Sequence, residues 1–146
     1  MITKTKEEYI TDYQWLKDSI GGQNLILREE SSLLYLQLFN GYLYENKIAV
    51  YAQQHGEHKN MEYHIVERFD DIDYFIKDNV MCSTFNQAVN DMLSNFEITD
   101  TEALAQALAN YYHLNNTSFA GLSIKPENMA NFEYMVDWAM EYYNDF

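Results

Sequence analysis

Apolar residues recur every three or four positions over residues 6–20, fall into short unbroken runs over 24–69, and return to helical spacing towards the end of the chain. Tyr9, Ile10, Tyr13, Leu16 and Ile20 form the first stripe and predict a helix over 6–20, closed by Gly21-Gly22. Leu25-Ile26-Leu27 and residues 33–39 are short, apolar and β-prone. Asn40-Gly41 predicts a two-residue hairpin, because both residues tolerate positive φ, and Glu45-Asn46 is a rival turn. Residues 47–53 and 62–69 predict two more strands, separated by a polar loop over 55–60. Four successive strands with short links predict an antiparallel meander.

Beyond Phe69 the spacing predicts helices. Asp70-Asp71 can cap one that carries Ile72, Phe75, Ile76 and Val80 on one face. Ser83 can cap the next, with Phe85, Ala88, Val89, Met92 and Leu93 inward. Thr99 and Glu102 fit a capping box ahead of Leu104, Ala107, Leu108 and Tyr111. Residues 115–123 predict a loop or a short extra strand, and Pro126 stands at the first turn of a final helix. In that helix Phe132, Val136, Ala139, Tyr143 and Phe146 make the buried stripe. The fold class is therefore α+β: an N-terminal helix, a small antiparallel sheet of about four strands, then a helical half ending in a long C-terminal helix. Residues 1–146 make a single domain, long enough to bury roughly 70% of its extended-chain surface.

Charge changes this picture from a fold into a surface. The net charge is −14, and from Asp78 onward ten acids face one base, Lys125. Direct binding to nucleic acid relies on lysine and arginine displacing counterions, and an anionic membrane repels the same surface. Neither is expected as a partner; a basic protein is. Hydrophobic content of 47% is too high for a disordered acidic tail. The single cysteine, Cys82, cannot form an internal disulfide, the first residues carry no signal-peptide run, and no stretch reaches the length of a membrane span. A cytoplasmic location is expected, in the producing cell or in a host it enters.

The acids of the final helix are regularly placed. Glu133, Asp137, Glu141 and Asp145 recur every fourth residue, climbing about 6 Å per step on the face away from the buried stripe. Neighbours stand closer than the Debye length of about 8 Å, so their fields add. Tyr134 projects among them and Trp138 borders them. The arrangement opposes helix stability: like charges at i,i+4 repel, and acids near a C-terminus oppose the dipole. A solvated outer face would also be polar, but that departure from the stable choice points to a docking surface, with aromatic anchors of the kind interfaces use. Asp70, Asp71 and Asp73, beside Glu67, form a second acidic cluster, a candidate partner-binding extension of the same surface, although acids at a helix N-terminus account for it more simply. Trp15, flanked by Glu8 and Asp12, is a third candidate contact.

His55, His58 and His64, with Glu57 and Glu62, offer metal-ligand residue types, but the spacing matches no zinc motif and a polar hairpin tip accounts for it. The sequence carries no phosphate loop, nucleophile elbow or Cys–His pair in a plausible setting, and no pair of acids has a distinguishing context. No enzyme activity, cofactor or metal is expected. Small, acidic, aromatic-rich proteins with carboxylate-lined helices are a recognisable class. On Glu133, Asp137, Glu141, Asp145 and its overall charge, the chain resembles the antirestriction and anti-CRISPR inhibitors of phages and mobile elements. The resemblance implies stoichiometric, non-catalytic binding to a basic host-defence nuclease or its regulator, with carboxylates standing where phosphates would lie. Two alternatives remain open: an immunity protein or antitoxin that sequesters a basic toxin, and a small metal-dependent enzyme using the histidine loop.

Overall fold

The computed structural model describes residues 11–144. Helix α1 (Asp12–Ile20) opens at Thr11, whose hydroxyl accepts from the Gln14 N–H at 3.1 Å. Leu16 and Ile20 are buried as the stripe predicts, whereas residues 6–10, with Tyr9 and Ile10, lie outside the described residues. The glycine pair ends the helix. Gly22 takes φ +75°, and its N–H donates to the Asn79 carbonyl at 2.9 Å, which ties the helix end to a distant turn.

The strands are β1 (Leu25–Leu27), β2 (Ile48–Ala52), β3 (Met61–Ile65), β4 (Tyr74–Lys77) and β5 (Val80–Ser83), hydrogen-bonded in the order β3-β2-β1-β5-β4. The α+β class holds, but the described sheet has five strands and is mixed: β1–β2 and β4–β5 pair antiparallel, β1–β5 and β2–β3 parallel. The polar loop over 53–60 is therefore no hairpin tip. It retraces β2, about 17 Å long, so that Met61 starts opposite Ile48. Eight residues can span that distance. A Cβ at Gly56 would meet the Tyr63 phenol, so any side chain there would have to displace that ring.

Two predicted elements exchange identity. Residues 33–39 are not a strand: helix α2 (Glu29–Tyr35) runs into them, with Ser31, Ser32, Leu33, Leu34 and Tyr35 all buried. It stops in a left-handed residue, Gln37 (φ 62°). The Gln37 and Leu38 N–H groups return to the carbonyls of Leu34 and Leu33. That pattern usually carries glycine, and its absence hid the helix end. Asn40-Gly41 makes no hairpin; the turn into β2 is the rival pair, Glu45 and Asn46, at φ 53° and 56°. Conversely, the helix expected after Asp70-Asp71 is the β4–β5 hairpin. Asp78 and Asn79 both have positive φ, the signature of a type I′ turn. Phe75 and Ile76, neighbours on the predicted helix face, point to opposite sides of the sheet: Phe75 packs on the core and Ile76 is exposed.

The next two helices appear where expected, each capped one residue later. Thr84, rather than Ser83, caps α3 (Phe85–Ser94), and Asp100, rather than Thr99, caps α4 (Thr101–Leu114). Residues 115–123 are a loop held by the Asn115 amide, which donates to the carbonyls of Ser118 and Ala120. Pro126 starts a single 3₁₀ turn that leads into α5 (Met129–Asn144).

One face of the sheet presents Leu25, Leu27, Val50, Ala52, Val80 and Cys82 to the core, where α2 packs on β2 and β5, and α1 and α3 pack on α2. Helix α4 buries Ala103, Ala105, Ala107 and Ala109 with Leu104 and Leu108; small residues let α5 approach with Met135 and Ala139. The entry of α5 is fixed by two buried amides. The Asn90 carboxamide bonds the Ser123 carbonyl and the Lys125 N–H, and Asn128 donates to the Asn90 carbonyl. Burial pushes the Cys82 thiol up to about 12, which leaves it an inert core residue. Among the described residues no helix is long and apolar enough to cross a membrane.

Candidate protein-interaction surface

Helix α5 is oriented by its packing on α4. Met135 and Ala139 are fully buried, and Phe132 and Val136 half-buried, so the predicted stripe is rotated towards Met135; Tyr143's side chain and Phe146 lie outside the described residues. Glu133, Tyr134, Asp137 and Glu141 remain exposed on the far side. Asp145, the last of the predicted ladder, lies outside the described residues. Trp138 is half-buried and packs on the core. Tyr134, Asp137, Trp138 and Glu141 together line one concavity of about 340 Å³. Among the described residues the ion pairs are Arg28–Glu29, Lys47–Glu45 and Arg68–Asp70, so no described cation neutralises the α5 acids.

The other sequence candidates are not joined to this concavity. Asp70 pairs with Arg68 at 3.7 Å, and Asp73 accepts from the Thr84 hydroxyl at 2.9 Å, which couples it to the start of α3. Glu67, Asp70, Asp71 and Asp73 thus precede a hairpin instead of capping a helix, and the dipole explanation for them falls away. Trp15 packs on the core rather than standing outward; Asp12 is exposed, and Glu8 lies outside the described residues. The histidines do not converge. His55 packs its ring on Tyr63, 4.7 Å between centroids, and His58 accepts from the Asn60 N–H. His64 faces the opposite side of the sheet from Tyr63 and meets the Tyr51 ring edge-on. No three histidine, cysteine or acidic side chains among the described residues are placed to hold a metal ion.

No protein-family model matches the chain, and no curated protein matches it in sequence.

The structure holds a second acidic site that no local spacing in the sequence marks. Glu29, Glu30, Glu62 and Asp100, with Ala49, Ile98 and Thr99, line a cavity of about 400 Å³. Strand register sets Glu62 opposite Ala49, and the α3–α4 connection delivers Ile98, Thr99 and Asp100. Glu29 begins α2 at φ 49°, a left-handed conformation that bulky residues seldom adopt. Its carboxylate is held by Arg28 Nη1 at 3.3 Å and Asn95 Nδ2 at 3.2 Å. Arg28 itself is buried, its guanidinium 4.7 Å from the centre of the Tyr51 ring, whose hydroxyl donates to Asp91. Burial pushes the Glu30 carboxyl up to about 7, reinforced by the negative charges of Asp100, Glu29 and Glu62; Arg28 offsets this only in part. Only the adjacency of Glu29 and Glu30 was visible in the sequence.

Glu30 therefore makes the fold less stable as pH rises. Between 4.5 and about 7 the unfolded chain has released this proton while the native state keeps it, so stability falls across that window and levels off above it. The shift corresponds to roughly 3 kcal/mol as a limit. Water reaches part of the side chain, which brings the expected penalty nearer to about 2 kcal/mol. Glu30→Gln is expected to raise unfolding free energy by about that amount near pH 8 and by little near pH 4, read from urea denaturation at both. His64, whose pKa burial lowers, acts with the opposite sign in acid, but it cancels in the comparison of variant with wild type.

Proposed function

We propose that this protein is a non-catalytic inhibitor that binds a basic, nucleic-acid-binding host-defence protein through the acidic, aromatic face of α5. The observation that carries the reading is the shared concavity of Tyr134, Asp137, Trp138 and Glu141, in which carboxylates and aromatic edges stand together without a described cation. A groove built to neutralise phosphates presents lysine and arginine at close spacing. A rigid helix with acids about 6 Å apart offers it a pre-ordered set of counter-charges, and Tyr134, 61% exposed, adds apolar contact area. Charge brings the partners together and selects for a basic surface; the aromatic residues slow dissociation.

The reading is tested on the partner that the protein retains from its native host. That partner is expected to be basic, to bind nucleic acid, and to release a labelled duplex as the inhibitor is added up to about one equivalent. The inhibitor's affinity should fall at least about tenfold between low and moderate salt. A partner that holds its duplex and the inhibitor at once, or an affinity indifferent to salt, excludes the phosphate-site mechanism.

A further inference from the structure

The α5 surface does not end at Tyr134. The Phe96 ring meets Tyr134 edge-on, 6.0 Å between centroids, and Phe96, Glu97 and Asn131 line a neighbouring hollow with Ile98. Ile98 also lines the cavity of Glu29, Glu30, Glu62 and Asp100, so it stands at the lip between the two hollows. Its side chain is 86% exposed, the most exposed described isoleucine. We propose that this cavity is an anchor pocket for one arginine side chain of a protein partner, with an adjacent apolar residue of that partner lying on Ile98. The proposal rests on the reading of α5 as a docking face and extends that face to a second, chemically distinct contact.

Charge complementarity selects the occupant. Four carboxylates from three separate parts of the chain surround about 400 Å³, and the nearby cation, Arg28, is 6% exposed and already engaged by Glu29 and the Tyr51 ring. It already neutralises Glu29, which leaves Glu30, Glu62 and Asp100 without an ion-pair partner among the described residues. Thr99 also lines the cavity, and its hydroxyl oxygen is a buried polar atom with no partner among the described residues. A guanidinium presents five N–H donors in a plane and pairs with carboxylates on several sides, whereas an ammonium is a compact point charge. A metal ion is a poorer fit, because no three of these acids are placed to share one. Ile98 then supplies contact for the apolar neighbour, which the open rim would otherwise leave to water.

Protonation provides an internal check. Glu30 shares the pocket with Glu29 and its partner Arg28 at the start of α2, with Glu62 on β3, and with Asp100 at the head of α4. Burial, reinforced by the neighbouring negative charges, keeps Glu30 protonated; an arriving cation opposes both by stabilising the carboxylate, so binding should expel that proton and tighten as pH rises through about 7.

The probe is the dipeptide N-acetyl-leucyl-arginine amide, titrated into the full chain carrying methyl-labelled isoleucine and followed by NMR. A saturable shift of the Ile98 methyl is expected, with a dissociation constant in the millimolar range, as suits so small a ligand. The isosteric citrulline dipeptide, which lacks the charge, should bind at least about tenfold more weakly, and the lysine dipeptide several-fold more weakly. Glu30→Gln combined with Glu62→Gln should weaken the arginine probe at least about fivefold and abolish its pH dependence. Glu133→Lys, Asp137→Lys and Glu141→Lys together should leave it unchanged, because those residues are outside the cavity. No Ile98 shift up to about 20 mM, or equal binding of arginine and citrulline, overturns the pocket. If that happens while the α5 reversal still abolishes binding of the natural partner, the pocket alone has failed. If the probe behaves as expected and the α5 reversal leaves the natural partner bound, the α5 reading has failed and the pocket stands.

Discussion

Lysine at positions 133, 137 and 141 together is expected to abolish partner binding without disturbing the fold. All three acids are exposed, none belongs to an ion pair among the described residues, and the helix is held from its other side by Met135 and Ala139. The structural cost should stay within about 1 kcal/mol, since exposed charges contribute little and like-charge spacing is repulsive before and after the change. Binding should respond far more. Each reversal replaces an attraction with a repulsion against a basic groove, and three of them should weaken the complex at least about 100-fold, or roughly 2.7 kcal/mol. Calorimetric titration against the captured partner reads the loss, and thermal unfolding of the variant checks the fold. The neutral variant Glu133→Gln, Asp137→Asn and Glu141→Gln separates charge from shape: it should weaken binding by an intermediate amount and flatten the salt dependence. Undiminished affinity of the lysine variant would mean that the helix face is only a solvated exterior.

This face was legible in the sequence because a helix writes its own geometry: four residues make just over one turn, so Glu133, Asp137 and Glu141 had to share a side. The acid cavity was not legible for the complementary reason. Glu29 and Glu30, Glu62, and Asp100 are brought together by strand register and by one connection between helices, and neither leaves a local spacing to read. Local structure divides in the same way. Strands β1 to β3 and helices α3 to α5 follow propensity, caps and a proline, and their cap residues missed by only one position because Ser83, Thr84, Thr99 and Asp100 are all competent acceptors. The two exchanged elements share one cause. Both turn on left-handed residues that are not glycine: Gln37, which ends α2, and Asp78 with Asn79, which close the β4–β5 hairpin. Without glycine to mark them, the apolar run at 33–39 reads as a strand, and Ile72, Phe75 and Ile76 read as a helix face.

The exchange of α2 for a strand has a measurable consequence, and Leu33→Ala should expose it at a cost of about 3 kcal/mol. A seven-residue helix has almost no stability of its own, so α2 exists because its surroundings bury it on every side. It packs against α1, β2, β5, α3 and α4, and Leu33 is fully enclosed in that centre. A cavity there cannot collapse without moving several elements, which places the cost in the upper part of the range for leucine truncation and lowers the melting temperature by roughly 10 °C. The helix further predicts an unequal pattern along the run. Leu33→Ala and Leu34→Ala, both at buried neighbouring positions, should be costly, and Leu36→Ala, half-buried at the helix end, should cost about 1 kcal/mol. A strand would instead group Leu34, Leu36 and Leu38 on one face and penalise them alike. Urea denaturation of the three single variants distinguishes the two patterns directly, since the helix makes Leu34→Ala much costlier than Leu36→Ala. The result also bears on the acid cavity, because Glu29 and Glu30 occupy the first turn of this same helix. If the weakened helix lets water reach Glu30, the stability lost between pH 4.5 and about 7 should shrink in Leu33→Ala relative to wild type, linking core packing to the charge state of the pocket.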